Sequence, residues 1–340
     1  MSTKITPGAI RFNTDSMKLE YYHLGSAGIG TMAAGEWVQI TTDSPEVQTG
    51  GTRGLWMGGG PGNDNTIDYV TISTTGNAIN FGDLVGTVHR QGGSLASRTR
   101  GVHGGGYNGS STTNTIDFVT IASTGDATDF GDRTIAARSG SGGGNDIRGL
   151  FVGGLTPSAT NTIDYITIAS TGNAVNFGDA NSTASNFGVC ANSVRVVFGG
   201  NQTNGDIEYV TISTLGNSAT NGVLLDGRTE LPSAASNSIR GIFFGGETQP
   251  GGSILNRIQY LEMASLGNTT DFGDLTTATR QGGACASSTR AVYGGGLAPG
   301  VTDTIEYVQI MSTGNAVDFG NLTTSRSTYQ ACSNGHGGLG

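Results

Sequence analysis

Three Asp-Phe-Gly triplets, beginning at Asp129, Asp271 and Asp318, are the clearest chemical suggestion in this 340-residue chain. In a phosphoryl-transfer enzyme such an aspartate holds a metal ion, but only beside a lysine strand and a catalytic loop. The chain has two lysines, Lys4 and Lys18, both far upstream. Asn80 and Asn176 take the aspartate's place in two further copies, so the triplet reads as a structural turn. A second set of carboxylates, Asp68, Asp117, Asp164, Glu208 and Glu306, each follows an Ile and precedes an aromatic residue; Gln259 stands in the equivalent place. These acids could ring a central channel and bind a cation, or each could be neutralised by a nearby arginine. The second reading is favoured, because a repeated motif is usually part of a folding unit.

Other reactive types do not converge. His23, His89, His103 and His336 fall at unrelated phases, whereas a zinc or copper site needs ligands aimed at one point. Cys190 and Cys285 lie five residues before a repeat arginine, and Cys332 falls in the matching run near the C-terminus. Leu95, Gly143 and Ala235 occupy the same place elsewhere, which marks it as a tight core position for a reduced thiol. No Ser-His-Asp order, paired carboxylate or Cys-His dyad stands out. The expectation is no enzyme, no cofactor and no metal.

The elements that position these residues follow from a period. Segments opening with Arg53, Arg100, Arg148, Arg195, Arg240 and Arg290 recur every 45 to 50 residues. Such a period marks one supersecondary unit copied about an axis, since no single unit can bury its own apolar face. With 59 glycines, 35% hydrophobic residues and many Thr, Ile and Val, the chain favours short strands and tight turns over helices. One copy shows four strands, at 282–287, 290–293, 304–310 and 316–319, with Ser312-Thr-Gly-Asn315 as a hairpin junction. Four short strands per copy is the size of a propeller blade.

Runs such as Arg290-Ala-Val-Tyr-Gly-Gly resemble the kelch repeat, over about residues 51–340. The resemblance implies a closed β-propeller and no activity. It departs from the kelch pattern late in the blade, where a Trp is usual and Phe81, Phe130, Phe177, Phe272 and Phe319 stand here; the fourth copy has Asn221-Gly222. Copper-dependent oxidases with kelch propellers need paired Tyr and His plus a cysteine crosslink, and these thiols sit in core positions instead. No good first strand precedes Arg53, whereas residues 323–334 form a first strand with no second strand after it. The expected fold is therefore all-β: a six-bladed kelch-like propeller over 51–340, with 323–340 completing blade one, behind a small N-terminal β-hairpin segment over 1–45. Seven blades of about 47 residues would exceed the length of 51–340, unless the N-terminal segment supplied a blade.

The N-terminal segment reads as a strand, a polar turn at 13–16 and a returning strand, followed by Gly35-Glu-Trp-Val-Gln-Ile40. Its Ile10-Arg-Phe12-Asn-Thr-Asp, Lys18-Leu19-Glu-Tyr21 and Trp37-Val-Gln-Ile40 runs resemble the hairpin that opens many bacteriophage virion proteins, commonly tail-fibre and appendage proteins. That resemblance implies a virion structural protein assembled in the host cytoplasm, tied to other virion proteins and to sister copies through Ile10, Phe12, Leu19, Tyr21 and Trp37. The propeller would then be displayed outward for attachment to a host-surface glycan or protein. The alternatives are a free carbohydrate- or protein-binding bacterial propeller, in which the hairpin merely caps the ring, and, least favoured, a propeller enzyme. A net charge of −9 argues against a nucleic-acid partner, and no apolar run suits membrane insertion or a signal peptide. Loops at 104–114, 153–161, 199–206, 245–256 and 294–303 vary between copies, which is where recognition is usually placed.

Overall fold

The structure, a computed structural model, describes residues 9–13, 18–24, 35–39, 52–61, 64–86, 91–183, 185–200, 204–227, 229–327 and 330–339. The chain divides into two units, Met1–Val47 and Gln48–Gly340. In the first, strands Ile10–Asn13, Lys18–Leu24 and Gly35–Gln39 form an antiparallel sheet in chain order. Ile10 pairs with Tyr21 and Phe12 with Leu19, while Trp37 pairs with Tyr22. Trp37 thus belongs to the alternate register class from the other four residues expected to act together. Ile10 is 64% exposed; the side chains of Phe12, Leu19, Tyr21 and Trp37 lie outside the described residues, as do most of the expected polar turn and His89.

The second unit is a six-bladed β-propeller. Each blade is a four-stranded antiparallel meander, as in Gly93–Ala96, Arg100–Tyr107, Thr112–Thr120 and Thr128–Asp132 of blade 2. Blade 1 takes its second to fourth strands from Arg53–Gly59, Asp64–Thr71 and Ile79–Asp83, and its first from Ala331–Ser333 at the other end of the chain. Cys332 pairs with Leu55, Ala331 with Trp56, and Ser327 exchanges backbone hydrogen bonds of 2.8 and 3.0 Å with Gly60. The ring closes where the sequence predicted. The fourth strands sit slightly later than expected: the last one spans Val317–Asn321 rather than 316–319, because Gly320 and Asn321 also join the ladder. Blade 4 keeps a fourth strand, Ala219–Val223, despite losing the Phe.

The core lies between blades. Each of six apolar clusters joins side chains of neighbouring blades; Trp56, Val70 and Ile72 of blade 1, for example, meet Val292, Ile305 and Phe319 of blade 6. Size is matched across these joints. A Cβ on Gly149 would lie 2.5 Å from the Leu95 side chain, and one on Gly241 would lie 2.7 Å from Cys190 Sγ. Where the first strand offers Gly143, the next blade supplies Val196. A large residue on one strand is thus met by a small one on the next, and neither can change alone without a void or a clash.

The motifs most suggestive of chemistry turn out to fasten the ring. The backbone N–H of each hairpin glycine (Gly76, Gly125, Gly172, Gly216, Gly267, Gly314) donates to the outermost strand of the preceding blade at 2.8–3.1 Å, the acceptor being the Phe carbonyl in five joints and Asn221 in the sixth. The Phe-Gly glycine must admit that turn: a Cβ on Gly82 would stand 2.3 Å from the Gly125 carbonyl oxygen, and the other five joints give 2.1–2.6 Å. The Phe rings meet the third-strand aromatics edge-on, as Phe81 does Tyr69 at 5.7 Å. Asp-Phe-Gly is therefore one half of a joint between blades, and Ser-Thr-Gly-Asn is the other half.

Candidate functional site

The first strands line the central channel with small residues. Leu95, Gly143, Cys190, Ala235, Cys285 and Cys332 surround a void of about 40 Å³, room for a very few water molecules. Both mouths are obstructed. At one, the Gln330 amide donates to Ser141 Oγ at 3.3 Å, reaching from blade 1 to blade 3. At the other, a short 3-10 turn, Gly337–Leu339, is buried against the ends of the first strands, where a Cβ on Gly338 or Gly337 would collide with the carbonyls of Gly144 and Asn237. His336 holds that turn in place: one ring nitrogen, Nε2, lies 2.8 Å from the Ala96 carbonyl oxygen, and Nδ1 accepts the Gly338 N–H at 3.1 Å. This arrangement requires a neutral ring protonated on Nε2, and burial lowers the imidazole pKa accordingly.

The thiols share this setting. Burial pushes Cys190 and Cys332 up to about 12, and Cys285 also rises, by burial first and then by its neighbour Cys332. All three side chains are buried and free of disulfides. A maleimide is accordingly expected to leave the native protein unlabelled at pH 7.5 and to modify three thiols per chain in denaturant, as counted by mass spectrometry. Fast labelling of even one thiol in native protein would contradict this packing.

The recurring acids do not face the channel. They lie on the third strands, each paired with a bulky residue two strands out from the axis: Asp68 with Trp56, Asp117 with His103, Asp164 with Phe151, Glu208 with Phe198 and Glu306 with Tyr293. A carboxylate ring around the channel is thus ruled out by position. Among the described residues the expected pairing with arginine is seen for two of them, but not with the repeat arginines. Those six instead stack on third-strand rings at 4.5–5.2 Å and donate to carbonyls of the next blade at 2.7–3.3 Å, from Arg53 to Ile121 around to Arg290 to Ser73. The arginines that reach acids come from the linkers: Arg133 Nε lies 3.2 Å from Asp164 and Arg326 Nη2 lies 2.7 Å from Asp68. Sequence reading missed them because their phase differs, Arg133 two residues and Arg326 six residues after the Phe-Gly glycine.

In four blades the linker also presents an N–H to the buried third-strand group. Thr323 donates to Asp68 at 3.0 Å, Asn181 to Glu208 at 2.9 Å, Leu225 to Gln259 at 2.8 Å and Thr276 to Glu306 at 3.1 Å. The third-strand group is therefore a bracket that seats the incoming linker. Burial, with a smaller push from Asp129, raises Asp117 to about 7. Burial likewise raises Glu306, partly offset by hydrogen bonds from Thr276.

Linkers and variable loops share one face, since Arg138 bridges to Leu155 and Arg280 to Leu297. That face carries the acid brackets and Gln330; the other carries the hairpin turns and the C-terminal turn. Among the described residues no group of three or more His, Cys, Asp or Glu is placed to hold a metal ion, and no helix is long and apolar enough to cross a membrane. His103 is buried, with Nδ1 3.2 Å from Ser94 Oγ, within the blade 2 joint.

The fold defines the class: a six-bladed β-propeller whose blades are locked by arginine stacks and glycine joints. No protein-family model matches the chain, and no curated protein matches it. Neither the kelch resemblance nor the virion resemblance gains support from these comparisons.

Proposed function

We propose that the chain is a non-enzymatic structural protein of a bacteriophage particle, with the N-terminal sheet as its attachment element and the propeller as the displayed domain. The observation that carries this reading is the contrast between the two units. The propeller closes on itself and buries its apolar faces between blades. The first unit, in its described residues, is three short strands with Ile10 exposed, at the lower limit of what is stable alone. Such a sheet needs a further surface, which a sister subunit or a particle supplies. The Ile-Arg-Phe-Asn-Thr-Asp resemblance adds the virion to that argument. On the propeller, recognition of a glycan or protein falls to the face where the variable loops gather.

A second reading, a free carbohydrate- or protein-binding propeller, draws on the same loop face and treats the sheet as a cap. Residues 51–340 alone should fold as a monomer and fail to join the particle, while 1–45 fused to an unrelated domain should be recruited. Co-sedimentation with particles and electron microscopy distinguish the two readings. Incorporation of the propeller alone at the level of the full chain would overturn the anchor assignment and leave the sheet as a cap, whereas failure of the full chain itself to join a particle would favour the second reading.

A further inference from the structure

The six linker brackets are not filled alike. In blade 1 the space beside Asp68 is occupied by Arg326, whose guanidinium also contacts Asp64 at 3.2 Å and the Thr66 carbonyl at 3.0 Å. In blade 6 the corresponding linker residue, again six positions after the Phe-Gly glycine, is Thr279. Its short side chain leaves a cavity of about 250 Å³, lined by Thr276, Thr279, Tyr293, Thr302, Thr304 and Glu306. Blade 3 needs no residue there, because Arg133 enters from another linker position and fills the bracket. Blades 4 and 5 answer their Glu208 and Gln259 with hydroxyls from the hairpin turn, Ser218 at 2.5 Å and Thr269 at 2.6 Å. Blade 6 has Ala316 at that turn position. Its Glu306 is held by the Thr276 N–H and hydroxyl alone among the described residues.

The cavity therefore keeps the acid of a buried ion pair without the base. A second group points the same way. Tyr293 is 3% exposed, and its hydroxyl lies against Gly282, whose N–H approaches it, and Gly296; the hydroxyl's own proton has no acceptor among the described residues. A buried hydroxyl with its hydrogen bonding incomplete is costly, and a carboxylate in the same enclosed space is best satisfied by a planar donor that can serve both. The remaining lining is mostly threonine, with Gly295 and Ala298, and it offers hydroxyls for further bonds and methyls against which a flat group can rest.

We propose that this cavity is a binding site for a guanidinium group, the chemistry that Arg326 supplies from within the chain at blade 1. The ligand is an arginine side chain or small guanidine entering from the loop face; Glu306 accepts its N–H donors and Tyr293 closes the pocket behind it. This site does not depend on the virion reading. It sits in the propeller and holds for either proposed role.

The test uses the full chain and three probes: N-acetyl-arginine amide, its neutral isostere N-acetyl-citrulline amide, and free methylguanidine. Ligand-observed NMR titration is expected to show saturable binding of the arginine probe with Kd on the order of 1 mM, the level one enclosed charge pair can sustain. Citrulline should bind at least tenfold more weakly. Methylguanidine binding while the amide does not would assign the site to small guanidines; binding of both would assign it to side chains as well. Glu306→Gln should weaken the arginine probe at least tenfold. Thr279→Arg should rebuild the blade 1 arrangement, abolish probe binding and raise Tm. Absence of saturable binding to 20-fold above that Kd, equal binding of citrulline, or unchanged affinity in Glu306→Gln would each overturn the assignment, and the Gln variant decides the matter even if Thr279→Arg does not fold.

Discussion

Deletion of residues 323–340 is expected to abolish soluble, monomeric protein. The deletion strips the first strand from blade 1, leaving the Arg53–Gly59 strand as an open edge with Leu55, Trp56 and Met57 uncovered beside it; all three are at most 1% exposed in the intact ring. An unpaired apolar edge is a template for association with other chains. The same deletion removes Thr323 and Arg326 from the buried Asp68, and the His336 turn from the channel mouth. Size-exclusion chromatography and thermal unfolding should give aggregate or no cooperative transition. A truncated protein that stays monomeric with an unchanged Tm would show that the ring does not rely on this strand. Stopping at Gly335 instead removes only the channel turn, and should give a folded monomer with a modest loss of stability.

Arg326→Met should destabilise the propeller by about 3–5 kcal/mol, which lowers Tm on the order of 10 °C. Arg326 and Asp68 have side chains 2% and 0% exposed, so the loss is not softened by solvent as it would be on the surface. Methionine restores most of the volume but strands a buried carboxylate. The double variant Arg326→Met with Asp68→Asn should recover at least half of the loss, because the amide keeps the Thr323 contact without the charge. Calorimetry of the three variants makes the comparison. A single variant as stable as the parent would mean that linker arginines are incidental to the fold.

These expectations rest on residues with unequal visibility in sequence. The blade number and the closing strand were legible because they repeat or visibly fail to repeat: Arg53 to Arg290 give the count, and a C-terminal first strand with no successor gives the closure. The structural role of Asp-Phe-Gly was also legible, since Asn80 and Asn176 could replace the acid. Its actual partner was not. The Gly82 to Gly125 approach joins residues of different blades, and nothing local in either motif names the other.

The acids show the same limit more sharply. Their equal number and phase with the repeat arginines suggested that the two sets pair, yet the repeat arginines stack on third-strand rings and reach forward to the next blade. The acids meet whatever the linker brings, which is Arg326 in one blade, Arg133 in another and an open cavity at Glu306 in a third.

By itself, then, the chain determined the repeated unit, the six-fold count, the all-β architecture and the strand that shuts the ring, because periodic burial within each copy can be read from residue type and spacing. Only the tertiary structure decided which charges neutralise one another, that the channel is narrow and obstructed at both mouths, and where a base is missing. Those outcomes depend on contacts between copies, made by linker residues outside the repeat phase, and such contacts exist only once the ring has closed.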